Sequence, residues 1–153
     1  MVFRADARSP EEIFKVGFSP RMGNGIKIGD GGQMTGGVST SKRLDVAIRY
    51  AAAYDGYVYA AVGSEGTNIL DILVSRGKKA EGLNNALSQS EVAFGSIPAD
   101  KIIAARRCSQ DGNKSIMTGQ VIRNPSANVS EQEAQLGIGY LNLELRVPSE
   151  YPH

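Results

Sequence analysis

Residues 2–20 read VFRADARSPEEIFKVGFSP, and their reading sets the architecture for the rest of the chain. Val2 to Ala5 have the composition of a short strand. Ser9-Pro10-Glu11-Glu12 then has the pattern of a capping box with proline at the first helical position: Ser9 is expected to bond the amide of Glu12, whose carboxylate reaches back. A helix is predicted over 10–16, with Ile13, Phe14 and Val16 as its apolar side and Gly17 as a left-handed terminator. A strand followed so quickly by a capped helix indicates a mixed α/β or α+β chain.

Composition agrees with that class. The chain has 153 residues, 41% of them apolar, which is about one domain with a sizeable core. Eighteen glycines and no tryptophan suit a loop-rich mixed fold better than a helical bundle. Lysine and arginine number 17 against 16 acidic residues, a net charge of +1 that generates no strong field toward nucleic acid or an anionic membrane. No run reaches the ~18 apolar residues of a membrane span, and the N-terminus has no apolar signal region. A single cysteine, Cys108, cannot form an intrachain disulfide, which fits a chain that acts in a reducing cytoplasm.

Further along, residues 22–37, MGNGIKIGDGGQMTGG, hold seven glycines and read as a surface loop. They lack the Gly-Lys-Ser/Thr of a phosphate loop and the strand–GxGxxG–helix of a Rossmann site. VSTSKRLDVAIRYAAAY follows. Val38 to Thr40 read as strand, and Ser41 as the cap of a helix over about 42–54 on which Leu44, Ala47, Ile48 and Ala51 recur at helical spacing. On local grounds alone, Ser39-Thr40-Ser41 is a strand end and a helix cap.

GYVYAAV, residues 56–62, is the clearest strand. NILDILVSR, 68–76, is ambiguous between strand and helix, and KKAEGLNNALSQ, 78–89, reads as polar loop. SEVAFGSIPADKIIAARRC offers two strands around a Pro98 turn, with Cys108 as a small strand residue. Strands are also expected at 115–123 and 136–147, the latter from the alternating LGIGYLNLELRV, with Glu131 and Glu133 in a polar connection.

Several chemistries lack their parts. The one histidine is His153, so Ser-His-Asp, Cys-His and histidine-based metal sites have no central group. One cysteine excludes a zinc ribbon, and no DxDxDG calcium loop is present. No metal is expected. Paired carboxylates for glycoside hydrolysis stay open, although Glu11-Glu12 reads as a helix start and Glu131/Glu133 as a polar connection. A reaction that one carboxylate can run, such as cleavage of the N-glycosidic bond of NAD, is also accessible. Nicotinamide leaves without protonation, and a fixed carboxylate stabilises the charge that develops on the ribose.

Four stretches fall in one order along the chain: Arg4 in VFRAD, Ser39-Thr40-Ser41 after the glycine-rich loop, Gln89-Ser90-Glu91, and a β-rich tail. That order resembles the cholera- and pertussis-toxin-like mono-ADP-ribosyltransferases, whose NAD site is built from an arginine, a Ser-Thr-Ser and a final Gln/Glu-x-Glu. The Arg-x-Asp-x-Arg of residues 4–8 and the Ile-Pro of SEVAFGSIPADKI are similar to the same family, so the likeness covers roughly residues 2–108.

The resemblance implies an α+β domain of two small packed, mostly antiparallel sheets with peripheral helices and an NAD cleft between the sheets. It implies that Arg4 contacts NAD, that Ser39 holds the catalytic glutamate while Thr40 and Ser41 shape the pocket, that Glu91 is that glutamate, and that Gln89 faces the acceptor. NAD is then a co-substrate. Arginine-modifying members usually carry glutamate where Gln89 stands; a neutral amide orients a nucleophile but cannot pair with a guanidinium, so arginine is disfavoured as acceptor. A protein side chain, DNA or RNA remains, and Lys78, Lys79, Arg106, Arg107, Lys114 and Arg123 are candidates for a local basic patch. Several members carry a histidine before Ser-Thr-Ser, and here there is none.

Residues 1–153 are thus expected to form one catalytic domain excised from a longer toxin or effector, a monomer that does not bind membranes. It would act in the cytoplasm of a target cell after delivery by a module outside this chain, and be matched by a cognate immunity protein. Two other readings stay open: an NAD glycohydrolase using the same residues, and a non-catalytic binding module on this scaffold.

Overall fold

The computed structural model describes residues 1–20, 27–28, 34–35, 38–63, 67–68 and 91–149. The first strand, β1 (Val2–Asp6), is followed by α1 (Pro10–Val16). Pro10 opens the helix as expected, but Ser9 makes no side-chain cap: its carbonyl oxygen accepts the amides of Glu12 and Ile13 at 3.1 and 3.0 Å. Gly17 ends it at φ +72°, and a Cβ there would lie 2.5 Å from the Ile97 carbonyl oxygen, so both backbone twist and close approach demand glycine. That approach lets Phe18 and Ile97 exchange two backbone bonds of 2.9 Å, tying the end of α1 to the Pro98 turn.

Two dipeptide strands, β2 (Lys27–Ile28) and β3 (Met34–Thr35), pair with each other. They lie within the glycine-rich stretch, the rest of which is outside the described residues. Then come β4 (Val38–Ser41), α2 (Leu44–Ala53), β5 (Tyr57–Ala61), β6 (Thr67–Asn68) and β7 (Glu91–Phe94). A short 3-10 turn at Ala99–Lys101 leads to the long hairpin β8 (Ile102–Asp111) and β9 (Lys114–Arg123), then to α3 (Glu131–Leu141) and β10 (Arg146–Pro148). Residues 69–90, including most of the ambiguous apolar run and the polar loop, lie outside the described residues.

The main sheet has the order β10-β9-β8-β5-β1-β4-β7-β6, antiparallel throughout. The α+β class, the antiparallel pairing and the peripheral helices match expectation. The two expected sheets are joined through β1 into a single ladder, and the join is narrow. On one side β1 matches β5 along its whole length, from Val2 opposite Ala61 to Asp6 opposite Tyr57; on the other it meets β4 only at Phe3 opposite Ser41.

Two apolar clusters flank this ladder. One gathers Phe3, Val58, Ala104 and Met117 under α2 and Leu141 of α3; the other gathers Val2, Tyr59, Val92, Phe94 and Ile102 with Ile13 and Phe18. In the second, Tyr59 meets Phe18 edge-on at 5.3 Å between ring centroids.

The tail departs from the sequence reading. Of residues 136–147 only Arg146 and Val147 are strand, in β10; residues 136–141 are helix, and Glu131 and Glu133 are not a connection but open α3 with a full capping box. Ser130 Oγ accepts the Glu133 amide at 3.1 Å, and the Glu133 carboxylate accepts the Ser130 amide at 3.0 Å. In the helical part, the alternation that suggested a strand came from Gly137 and Gly139 rather than polar residues. Gly137 has no Cβ because one would fall 2.8 Å from the Ile103 side chain, which is how closely α3 packs on β8.

Candidate active site

Strand β1 carries Arg4 to the narrow join. The Nη1 group of Arg4 donates to the Ser39 carbonyl oxygen at 2.9 Å, a bond from β1 to β4 beyond the point where the ladder between them stops. Nη2 reaches Asp6 Oδ2 at 3.4 Å, and the guanidinium carbon sits 5.1 Å from the centre of the Phe18 ring. Nε is buried and has no hydrogen-bond partner. Burial lowers the Arg4 pKa from the usual arginine value, with the negative charge of Asp6 acting against it. A buried donor left unspent is a cost to the fold that a further acceptor would relieve.

Asp6 anchors that arginine. It is buried, and Oδ1 accepts the backbone amide and Nε of Arg8, both at 2.9 Å, while Oδ2 accepts Arg8 Nη2 at 2.8 Å. Burial by itself would raise the Asp6 carboxyl; the bonds from Arg8 and the charges of Arg4 and Arg8 outweigh it and hold the group below the usual carboxylate value. Tyr59, pushed well above its ordinary pKa by burial, donates its hydroxyl to the Arg8 carbonyl oxygen at 2.6 Å and fixes the turn that follows β1.

Strand β4 brings Ser39-Thr40-Ser41 to the same place. Ser39 is half-buried; Thr40 and Ser41 are buried. Thr40 Oγ1 donates to the Val92 carbonyl oxygen at 2.7 Å, fastening β4 to β7. Ser41 is not the helix cap that the sequence suggested. Arg43 occupies that position, and Ser41 Oγ accepts the Arg43 amide at 3.0 Å, turning the chain two residues before α2 begins. In β7, Glu91 is the register partner of Ser41, Val92 of Thr40 and Ala93 of Ser39. Gln89 lies outside the described residues.

Arg4, Ser39, Thr40 and Ser41 share one cleft of about 250 Å³, closed on its far side by Val46, Ala47, Tyr50 and Tyr54 of α2 and its C-terminus. Its floor is apolar, with Phe3 and Ala5, and its polar groups converge from the two strands. Fixed donors at one side of an apolar slot are the usual makings of a small-molecule site.

Sequence reasoning assigned no role to Asp6, Arg8, Tyr50 or Tyr54. The alternation of Arg4, Asp6 and Arg8 was a usable signal for the first two, because every second residue of a strand shares a side. For the tyrosines the signal was their spacing of four on a helix that starts beside Ser-Thr-Ser. Of the residues expected in a basic patch, Arg106 is not available to one. Arg106 is buried, donating from Nη1 to the Leu141 carbonyl oxygen at 2.9 Å, from Nε to the Gly119 carbonyl oxygen at 3.1 Å and from Nη2 to Glu144 at 2.9 Å. Lys78 and Lys79 lie outside the described residues. Among the described residues there is no group of acidic, cysteine and histidine side chains able to hold a metal, and no helix long and apolar enough to cross a membrane.

This arrangement of strands and helices is the ADP-ribosyltransferase fold. At 22% identity the chain superposes on a guanine-specific ADP-ribosyltransferase with a TM-score of 0.64, covering 85% of this chain and 79% of that one. Scabin, a toxin from Streptomyces scabies, gives 0.64 at 20% identity over 85% and 77% of the two chains in a singly substituted form, and another of its structures is a complex with NADH. Full-length CARDS toxin gives 0.63 at 22% identity; there the match covers 85% of this chain but 29% of the toxin, so the chain spans less than a third of that protein. No protein-family model matches the chain, and no curated protein matches it by sequence.

Proposed function

We propose that this chain is a mono-ADP-ribosyltransferase domain that cleaves NAD between nicotinamide and ribose and transfers ADP-ribose to a macromolecular acceptor, a nucleic acid or a protein side chain, with arginine disfavoured. The observation that carries the reading is Arg4: a partly buried guanidinium, braced by Asp6 and Ser39, that lines one cleft with Ser39-Thr40-Ser41, in a fold shared with toxins of this activity. A guanidinium beside an apolar slot fits a ligand with both a planar ring and anionic oxygens, and NAD has both.

Each residue then has a task. Arg4 binds and orients the dinucleotide while Asp6 and Arg8 hold it in place. Ser39 positions Glu91 diagonally across the β4–β7 pair, in whose register Ser41 is directly opposite Glu91 and Ser39 is opposite Ala93. The Glu91 carboxylate stabilises the positive charge that develops on the ribose as nicotinamide leaves. Thr40 keeps the two strands in register through its bond to Val92. Gln89 orients the acceptor. NAD, when bound, supplies the ADP-ribose group and a leaving group that departs as neutral nicotinamide.

The wider setting follows the same reading. Residues 1–153 are one catalytic domain of a longer toxin, acting as a monomer in the cytoplasm of a target cell and neutralised by a cognate immunity protein. The short share of CARDS toxin that the chain spans is compatible with such a layout.

The test is transfer of label from NAD by the wild type and by Glu91→Gln, against cell lysate divided into nuclease-treated and protease-treated halves. Label that depends on Glu91 supports the transferase, and the treatment that removes it identifies the acceptor as nucleic acid or protein. Nicotinamide release with no label in either half means that water is the acceptor and the domain is a glycohydrolase. Absence of both means a binding module.

A further inference from the structure

Arg4 is bordered by two hollows rather than one. The cleft described above lies on the Ser39–Ser41 side, and a second hollow of about 350 Å³ is lined by Arg4, Ala5, Asp6, Ala7 and Tyr54. Arg4, Ala5 and Tyr54 border both. Of these, Tyr54 is the one that does not come from β1: it is the residue that terminates α2, and it remains 47% exposed.

The ring is held there by a local device. Gly56 packs beneath it so closely that a Cβ on that residue would fall 2.4 Å from a Tyr54 ring carbon and 2.8 Å from the Asp6 carbonyl oxygen. A ring that is nearly half exposed adds little to the core, so its packing over a bare glycine sets its direction more than it stabilises the fold. The two hollows differ in lining. The first offers Phe3, Val46, Ala47 and Tyr50 around the serines and threonine; the second offers the polar end of β1 and the guanidinium of Arg4.

Resting on the reading of the cleft as an NAD site, we propose that Tyr54 is a specificity-determining residue, an aromatic wall with a different part of the dinucleotide on each side. The nicotinamide ring and its ribose occupy the apolar hollow beside Ser39–Ser41, and the sugar-phosphate portion occupies the hollow beside Arg4 and Asp6. The Tyr54 ring contacts both parts, and its loss removes both contacts at once. A ligand that carries only one part gains from only one side.

The test is calorimetric titration of the full chain with NAD, nicotinamide and ADP-ribose, for the wild type, Tyr54→Phe, Tyr54→Leu and Tyr54→Ala, with thermal melting as a check on folding. The expected result is NAD binding weakened about tenfold by Leu and Ala and kept within about twofold by Phe, with both fragments weakened by Leu. Melting temperatures stay close to wild type. The Leu variant retains apolar bulk, so it reports on the ring even where Ala disturbs the helix end. Wild-type affinity for NAD in Tyr54→Leu overturns the proposal while leaving the function standing, and weakening of one fragment alone overturns the two-sided wall. A wild type that binds none of the three ligands overturns the NAD reading and this inference with it.

Discussion

The Arg4 guanidinium bonds to the Ser39 carbonyl oxygen at 2.9 Å where the ladder between their strands has already ended. The side chain replaces the missing backbone pairing at the one place where the sheet is narrow, and in doing so spends only one of its donor groups on an uncharged partner.

From this follows a prediction for Arg4→Lys. An ammonium keeps the charge but cannot reach Ser39, Asp6 and a ligand together in the fixed fork of a guanidinium. NAD affinity should fall about tenfold or more, with far-ultraviolet circular dichroism unchanged. Calorimetric titration checks it, and undiminished affinity would remove Arg4 from the site.

Asp6 gives a pH-dependent signature. Its folded pKa lies below the ordinary carboxylate value, so its contribution to stability is complete above the unfolded pKa of about 3.9 and is lost as pH falls through the lower folded value. The urea midpoint of Asp6→Asn should therefore lie below wild type by a constant amount at neutral pH, and the gap should close in the acid range below pH ~4. A gap that does not change with pH would mean that the carboxylate charge is not what Arg4 and Arg8 respond to.

Arg106 separates structure from recognition. It ties the end of α3 to the β9 backbone, and Arg106→Ala leaves the buried Leu141 carbonyl without its donor. A loss of about 2–4 kcal/mol is expected, read from chemical denaturation. Arg107→Ala, at an exposed position, should leave stability within about 0.5 kcal/mol of wild type.

Cys108 is a built-in reporter of unfolding. It is fully buried, and burial pushes its thiol up to about 12, so the native protein should react with a thiol reagent at neutral pH only as fast as it opens. Labelling should accelerate to the rate of a free thiol in denaturant. Rapid labelling under native conditions would contradict the packing of β8 against α2.

How much of this was legible in the chain depended on whether a signal was local. Pro10 and Gly17 mark the ends of α1 because each acts through its own backbone geometry, and GYVYAAV is a strand in isolation and in the fold. The α3 region misled for an identifiable reason: glycines at 137 and 139 imitate the polar positions of an alternating strand, and the purpose of Gly137, clearance for Ile103, is a tertiary fact. The capping signature Ser130-x-x-Glu133 was present and outweighed. At the site, Arg4 and Ser39–Ser41 could be named in advance from their order, and the structure brings them into one cleft. The clasp on Ser39 and the wall at Tyr54 could not be, since both depend on which strands become neighbours across tens of residues.

The position of β1 in the sheet has a consequence for how the domain assembles. The strand with the lowest residue numbers occupies an interior position, with β5 on one side and β4 on the other. Neither flank exists until residues 38–61 have been made, and the β4 flank is itself braced by β7 at 91–94. Every neighbour of the Arg4 segment therefore arrives by closing a long loop, the kind of pairing that slows folding and comes late in it. Until β1 has paired with both β4 and β5, the walls that Arg4 and Ser39–Ser41 give the cleft are not together.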